Sequence, residues 1–256
     1  MQIDRLSLRG FRNYEDAQAQ FVPGVNLLVG GNANGKTNLL EAVSYLSTGR
    51  SFRTRREAEL IRFGADFAEL RAQVQSQERT RELRAVLFSG RRPRQLWLAG
   101  VRQRSRAALS GVLTSVLFCP EDLYLIREGA VARRGFLDDC ICQLRPRYAL
   151  ALAEYKRLHE HKTRILRDSE EKPSLLDALD EFSMSMAKAG ALLIHYRAHF
   201  IKRLCQAAPA IHGDFSGGRE RLTLRYETVS TVTDPEAGPQ VIFQQLLQHQ
   251  EEHRAA

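Results

Sequence analysis

Apolar and polar positions alternate early in the chain. Ile3, Leu6 and Leu8 predict a strand, followed by 10-GFRNY-14. Phe67 to Val74 and Leu83 to Phe88 alternate in the same way, and Gln95 to Ala99 follows a turn at 90-GRRP-93. This period of two predicts an antiparallel β layer. Two continuous apolar runs predict buried strands instead: Val25 to Val29, ended by Gly30 and Gly31, and Ser115 to Cys119, closed by Pro120. After Thr37, the residues Leu39, Leu40, Val43 and Leu46, with Glu41 between them, predict a helix packed on a sheet.

Beyond residue 119 the period lengthens. Tyr148, Leu152, Tyr155 and Leu158 fall three or four apart, which predicts a helix running to Arg167. The stretch 168-DSEEKP-173 breaks it, and Ser174 with Asp177 reads as a capping box. Leu175, Leu179, Phe182, Met186, Ala189, Leu193, Tyr196 and Phe200 then repeat in steps of four and three, a coiled-coil-like seam. Two long helices joined by a charged turn predict an antiparallel hairpin, with two ordinary core helices as the alternative. Farther on, Leu222, Leu224 and Tyr226 alternate with Thr223, Arg225 and Glu227, a strand period that makes Ser216 to Gly218 a hairpin turn. The pattern divides the chain into 1–118 with the β layer, 119–207 as a helical lobe, and 208–256 as return strands.

No apolar run approaches the roughly 20 residues of a membrane span, and the first dozen residues lack a secretory signal core, so a cytoplasmic protein is expected. Cys119, Cys140, Cys142 and Cys205 show no metal or disulfide spacing and read as packing residues. His195 and His199 stand at i, i+4, a spacing that can hold metal, but no carboxylate motif accompanies them. The net charge of +8 favours a polyanionic partner. Its composition says more, because the chain holds 32 arginines and only 6 lysines, and Lys36 is the only lysine before Lys156.

Lys36 stands in 30-GGNANGKT-37, a G-x-x-x-x-G-K-[ST] spacing between the predicted strand and helix. In such a loop Gly30, Gly31, Asn32, Ala33, Asn34 and Gly35 turn their backbone N–H groups inward, and the helix adds its positive end. Lys36 reaches the phosphates of ATP as a compact charge where a planar guanidinium would not fit. The Thr37 hydroxyl supplies a ligand for Mg²⁺. A glycine-rich surface turn is the competing reading. Three arginine clusters suit phosphate contacts with DNA: Arg50, Arg53, Arg55 and Arg56 after the predicted helix, Arg91, Arg92 and Arg94 at the hairpin tip, and Arg102, Arg104 and Arg106.

The stretches 10-GFRNY-14, 35-GKTNLLEAV-43, 48-TGRSFRTRR-56, 120-PEDLYLI-126, 133-RRGFLDD-139 and 216-SGGRERLTLRY-226 stand in one order along almost the whole chain. In them the chain resembles the RecF family, bacterial recombinational-repair ATPases related to the SMC proteins. The resemblance implies an α/β fold with a P-loop ABC-type ATPase core, an antiparallel β layer and an inserted helical hairpin. It implies ATP and Mg²⁺ as cofactors, an ATP-dependent homodimer of the full-length protein, binding to double-stranded and gapped DNA, and loading of RecA together with RecO and RecR. It also implies that Arg53 could touch nucleotide rather than DNA. Ala33 departs from the glycine usual in the family, which matters if that position needs positive φ, and 129-GAVARR-134 lacks the family's proline. The family continues beyond the point corresponding to 251-EEHRAA-256, with a signature loop and an acidic strand end. Neither 215-FSGGRERL-222 nor 116-VLFCPED-122 reads as a replacement for them, so little ATP hydrolysis is expected of this chain. A non-hydrolysing DNA-binding module and a metabolic P-loop kinase are the alternative functions.

Overall fold

The computed structural model describes residues 1–76, 79–127 and 129–255. Contacts divide them into two compact units, Met1–Pro146 and Arg147–Ala256, so 119–146 goes with the amino-terminal unit.

The first unit is built on a six-stranded sheet, antiparallel throughout, in the order β2-β1-β3-β4-β5-β6. Its strands are β1 (Gln2–Phe11), β2 (Tyr14–Gln20), β3 (Phe67–Ser76), β4 (Arg79–Phe88), β5 (Gln95–Leu98) and β6 (Val101–Gln103). Register explains the alternation in the sequence. Leu8 pairs with Leu70, Leu70 with Ala85 and Ala85 with Leu96, while Leu6 pairs with Ala72 and Ala72 with Leu83. Each row places its small and large apolar side chains on one face, and there α1 (Lys36–Thr48) lays down Ala42, Tyr45 and Leu46. Fully burying a leucine-sized side chain is worth about 1.5–3 kcal/mol, so this face anchors the helix. The opposite positions are polar: Glu69 bonds Arg71 and Arg84, and Arg84 lies over the Trp97 ring at 4.5 Å.

Two expected strands do not join this sheet. Val25, Leu27 and Val29 are 92%, 83% and 83% exposed, and Val116 and Phe118 are 99% and 83% exposed. A continuous apolar run is stable as a strand only where neighbours cover its faces and pair its backbone. Among the described residues neither segment finds a ladder partner, and both lie outside regular secondary structure. The phosphate-loop helix therefore rests on the antiparallel layer. At its far end, the Ser47 hydroxyl meets Leu113 O at 3.1 Å and Gln143 Oε1 at 2.7 Å, which ties it to α2 (Ala130–Leu144).

The second unit is helical, with α3 (Pro146–Asp168), α4 (Leu179–Ser216) and α5 (Pro239–Ala255). Tyr148 packs edge-on against Tyr196 and accepts a hydrogen bond from Arg197 Nε at 2.9 Å, while Lys162 donates to the Ser183 hydroxyl at 2.8 Å. These pairs run in opposite senses along the chain, as an antiparallel hairpin requires. With 38 residues, α4 is about 57 Å long. On its other side Ala191 and Ile194 meet Val232 and Ile242.

Three local expectations for this unit are corrected. Ser174 does not cap a helix; it lies in a short 3₁₀ turn over Pro173–Ala178, and α4 starts after Ala178 with Asp180 and Glu181 in its first turn, where acids suit the helix dipole. Ser216 to Gly218 is not a hairpin turn, because α4 runs through Ser216 and ends there. Gly217 closes it in the left-handed conformation, φ 62°, and Gly218 N–H bonds Gly213 O at 2.8 Å. Among the described residues 208–256 holds no strand: Leu222, Leu224 and Tyr226 alternate, but alternation by itself supplies no partner for their backbone groups.

Candidate functional site

The loop from Gly30 to Gly35 leads straight into α1, and backbone geometry shapes it. Ala33 has φ 66° and Gly35 φ 93°, both in the left-handed region. Gly35 is the N-cap of α1, no side chain caps the helix, and its first turn holds no acid. The opening N–H groups of a helix have no intrahelical acceptor, and here they meet no competing carboxylate. Lys36 bends back across the loop, its Nζ 2.7 Å from both Gly30 O and Gly31 O. Thr37 is exposed beside it. The ammonium group thus lies over the loop carbonyls where the uncapped helix begins, with Thr37 exposed in the first turn, an arrangement suited to a phosphate chain.

The β1–β2 turn supports the loop from below. The Tyr14 hydroxyl donates to Gly35 O at 3.1 Å, and Asn38 Nδ2 donates to Asn13 Oδ1 at 2.8 Å. Burial raises the Tyr14 pKa, so the phenol keeps the proton it donates. Arg12 in the same turn holds φ 52° and forms a bidentate pair with Glu41 of α1, with Nε–Oε2 at 2.9 Å and NH2–Oε1 at 2.7 Å. Ser51 and Arg53 also reach that carboxylate. Sequence reasoning treated Glu41 only as a polar residue inside an apolar pattern. Its signal was its place three residues after Asn38 and four before the buried Tyr45, on a face where an acid requires a cation.

The predicted basic residues separate into two groups. Arg50 pairs with Asp139, Arg53 with Asn38 and Glu41, and Arg94 with Glu57, Gly49 O and the Tyr45 hydroxyl. Arg106 is largely covered, with its stem packed against Gly49. Arg55, Arg56 and Arg91 are exposed and have no ion-pair partner among the described residues, and the exposed Arg92 lies over the Phe88 ring at 4.3 Å. Asp122 accepts from Cys119 N–H at 2.8 Å at the start of a 3₁₀ turn, so it serves as a helix-end acid. His195 Nδ1 lies 2.9 Å from Ala237 O and His199 Nδ1 2.9 Å from His195 O, and no group of metal-binding side chains occurs among the described residues.

Comparison with known proteins agrees with this geometry. The family described as RecF/RecN/SMC N terminal domain matches residues 2–122. The DNA replication and repair protein RecF of Acetivibrio thermocellus is 33% identical over 226 residues, covering 88% of this chain and 61% of that protein. RecF of Lactobacillus johnsonii is 32% identical over 255 residues, covering 99% of this chain and 68% of its own. This chain therefore spans roughly two thirds of the length of these relatives. Solved structures of the recombination mediator protein RecF in the RecFOR pathway superpose with TM-scores of 0.86 for the ATPrS form and 0.84 for the ATP form, each at 27% identity over 97% of this chain and 66% of that one. A phosphate-type loop on an antiparallel layer, a long helical hairpin, and relatives that align over 88–99% of this chain leave one assignment: the chain belongs to the RecF family.

Proposed function

We propose that this chain binds ATP with Mg²⁺ in the 30–37 loop and forms the nucleotide-binding part of a RecF-type protein of DNA replication and repair. The observation that carries this reading is the position of Lys36, whose ammonium group covers the loop carbonyls at the uncapped, acid-free start of α1. The residues present fit the nucleotide. Lys36 would exchange two carbonyl acceptors for phosphate oxygens, the N–H groups of the loop and first helical turn would hold the phosphate chain, and the Thr37 hydroxyl would hold Mg²⁺. The metal, when bound, neutralises charge on the phosphate oxygens.

The same reading extends to DNA and to assembly. Arg55, Arg56, Arg91 and Arg92, which are exposed, would contact the backbone of double-stranded or gapped DNA without regard to sequence. ATP would favour a homodimer of the full-length protein in the cytoplasm, which works with RecO and RecR to load RecA. The likeness to a recombination mediator of the RecFOR pathway supports this.

Calorimetric titration with Mg-ATP tests the reading. Lys36→Ala removes a charge-assisted contact and should cost at least about 2 kcal/mol of ATP affinity, about 30-fold. Equal affinity of variant and parent would overturn the assignment.

A further inference from the structure

Glu41 is fully buried in α1, five residues after Lys36, and nothing in the phosphate-binding reading uses it. A buried carboxylate is costly unless it is paired and hydrogen-bonded. Its partners come from two segments outside the helix. Arg12 approaches from the β1–β2 turn as a bidentate fork and is itself fixed by NH1–Glu59 O at 2.7 Å and by its N–H to Leu60 O at 2.8 Å. Ser51 and Arg53 approach from the loop after α1. The Ser51 hydroxyl also accepts the N–H groups of Arg53 at 2.9 Å and Thr54 at 3.1 Å, so the group that bonds Glu41 also shapes the turn carrying Arg53.

Arg53 NH1 lies 2.7 Å from Asn38 Oδ1 and 3.4 Å from Glu41 Oε2. Asn38 follows Thr37 in the first turn of α1. The remaining side-chain N–H groups of Arg53 have no acceptor among the described residues, and the side chain is 41% exposed. One carboxylate thus orients two guanidinium groups, and one unit of positive charge is left uncompensated beside the end of the helix where phosphates would sit.

We propose that Glu41 is a positioning residue of the nucleotide site: it holds Arg12 and Arg53 as an oriented pair, so that Arg53 presents its open N–H groups to the phosphates of the nucleotide. This rests on the nucleotide reading of the 30–37 loop. It predicts a sign that simple charge counting does not. Removing a negative charge near a polyphosphate should raise ATP affinity, whereas loss of positioning lowers it.

The test is a double-mutant cycle on ATP affinity, measured by calorimetry with Mg-ATP on the parent, Glu41→Gln, Arg53→Ala and the double variant. Each single variant should lose about tenfold in affinity. The double variant should be no weaker than Arg53→Ala alone. Unchanged or higher affinity in Glu41→Gln, or losses that multiply in the double variant, would overturn the positioning role. If Glu41→Gln does not fold by circular dichroism, a Ser51→Ala cycle with Arg53→Ala decides, because Ser51→Ala leaves the Arg12–Glu41 pair in place. It should lose a few-fold in affinity and should not multiply with Arg53→Ala; independent losses, or no loss, would defeat the proposal. A parent that fails to bind ATP would defeat the nucleotide reading itself. A parent that depends on Lys36 but not on Glu41 or Ser51 would defeat only this inference.

Discussion

Gly35→Ala probes the junction on which the site depends. Gly35 is buried, caps α1 with φ 93° and ψ 2°, and follows a loop residue that also belongs to the phosphate pattern. A Cβ built there would lie 2.7 Å from both Asn13 side-chain amide atoms and 2.8 Å from the Tyr14 hydroxyl oxygen. Those atoms are held in place, because the Tyr14 hydroxyl donates to Gly35 O and Asn13 accepts from Asn38. Left-handed backbone costs an L-residue about 1–2 kcal/mol. Displacing the two hydrogen bonds costs about 1 kcal/mol each. Lower entropy of the unfolded alanine chain adds about 0.5–1 kcal/mol to that cost in the opposite direction, as a stabilising offset. The sum is a loss of about 2–3.5 kcal/mol from the amino-terminal unit, concentrated where the β1–β2 turn meets the loop. Urea unfolding followed by circular dichroism reads the stability, and calorimetry with Mg-ATP reads the affinity. Tyr14→Phe is the control, since it removes one hydrogen bond without adding a Cβ and should cost about 1 kcal/mol. A Gly35→Ala protein with the parental urea midpoint and parental ATP affinity would refute the argument from backbone angle and close contact.

Ala33, at φ 66°, already bears the strain that the family's glycine avoids. Ala33→Gly should relieve about 1–2 kcal/mol and return about 0.5–1 kcal/mol in chain entropy, so the urea midpoint should rise slightly; a lower midpoint would contradict the strain. Arg55→Ala combined with Arg56→Ala should weaken binding to every duplex sequence alike and reduce the salt slope by up to about two units, and an unchanged slope would exclude phosphate contacts there. Burial pushes the Glu41 pKa up, but hydrogen bonds from Arg12 and Ser51 and the charges of Arg12 and Arg53 outweigh it and hold the pKa below the usual carboxylate value. Its contribution to stability is therefore complete above the unfolded value, about 4.3, and is lost as the pH falls through the folded value. Below about pH 4 the parent should lose stability more steeply than Glu41→Gln, and parallel pH profiles in urea unfolding would remove Glu41 as a linked group.

Local pattern alone determined a good deal of this protein. The period of two in Phe67 to Val74 and Leu83 to Phe88 specified antiparallel strands, because alternate side chains must face one core. The three-and-four spacing after Tyr148 specified the helices, and the spacing from Gly30 to Thr37, with a lone lysine among arginines, marked the candidate site on which the proposed nucleotide binding rests. Only tertiary structure decided the rest. Val25 to Val29 and Ser115 to Cys119 read as strands, but a strand exists only when another segment completes its hydrogen bonds, and pattern within the segment holds no information about that neighbour. Ser216 to Gly218 depended on whether α4 reached it, so the same glycines that suit a hairpin turn serve as a helix C-cap. The arginines divided by distant partners: Arg50 met Asp139, Arg94 met Glu57 and Tyr45, and Arg12 met Glu41, leaving Arg55, Arg56 and Arg91 open to solvent. Charge type is written in the sequence; whether a charge is spent inside the fold or presented outside it is set by burial and by which far-off carboxylate the fold brings within reach.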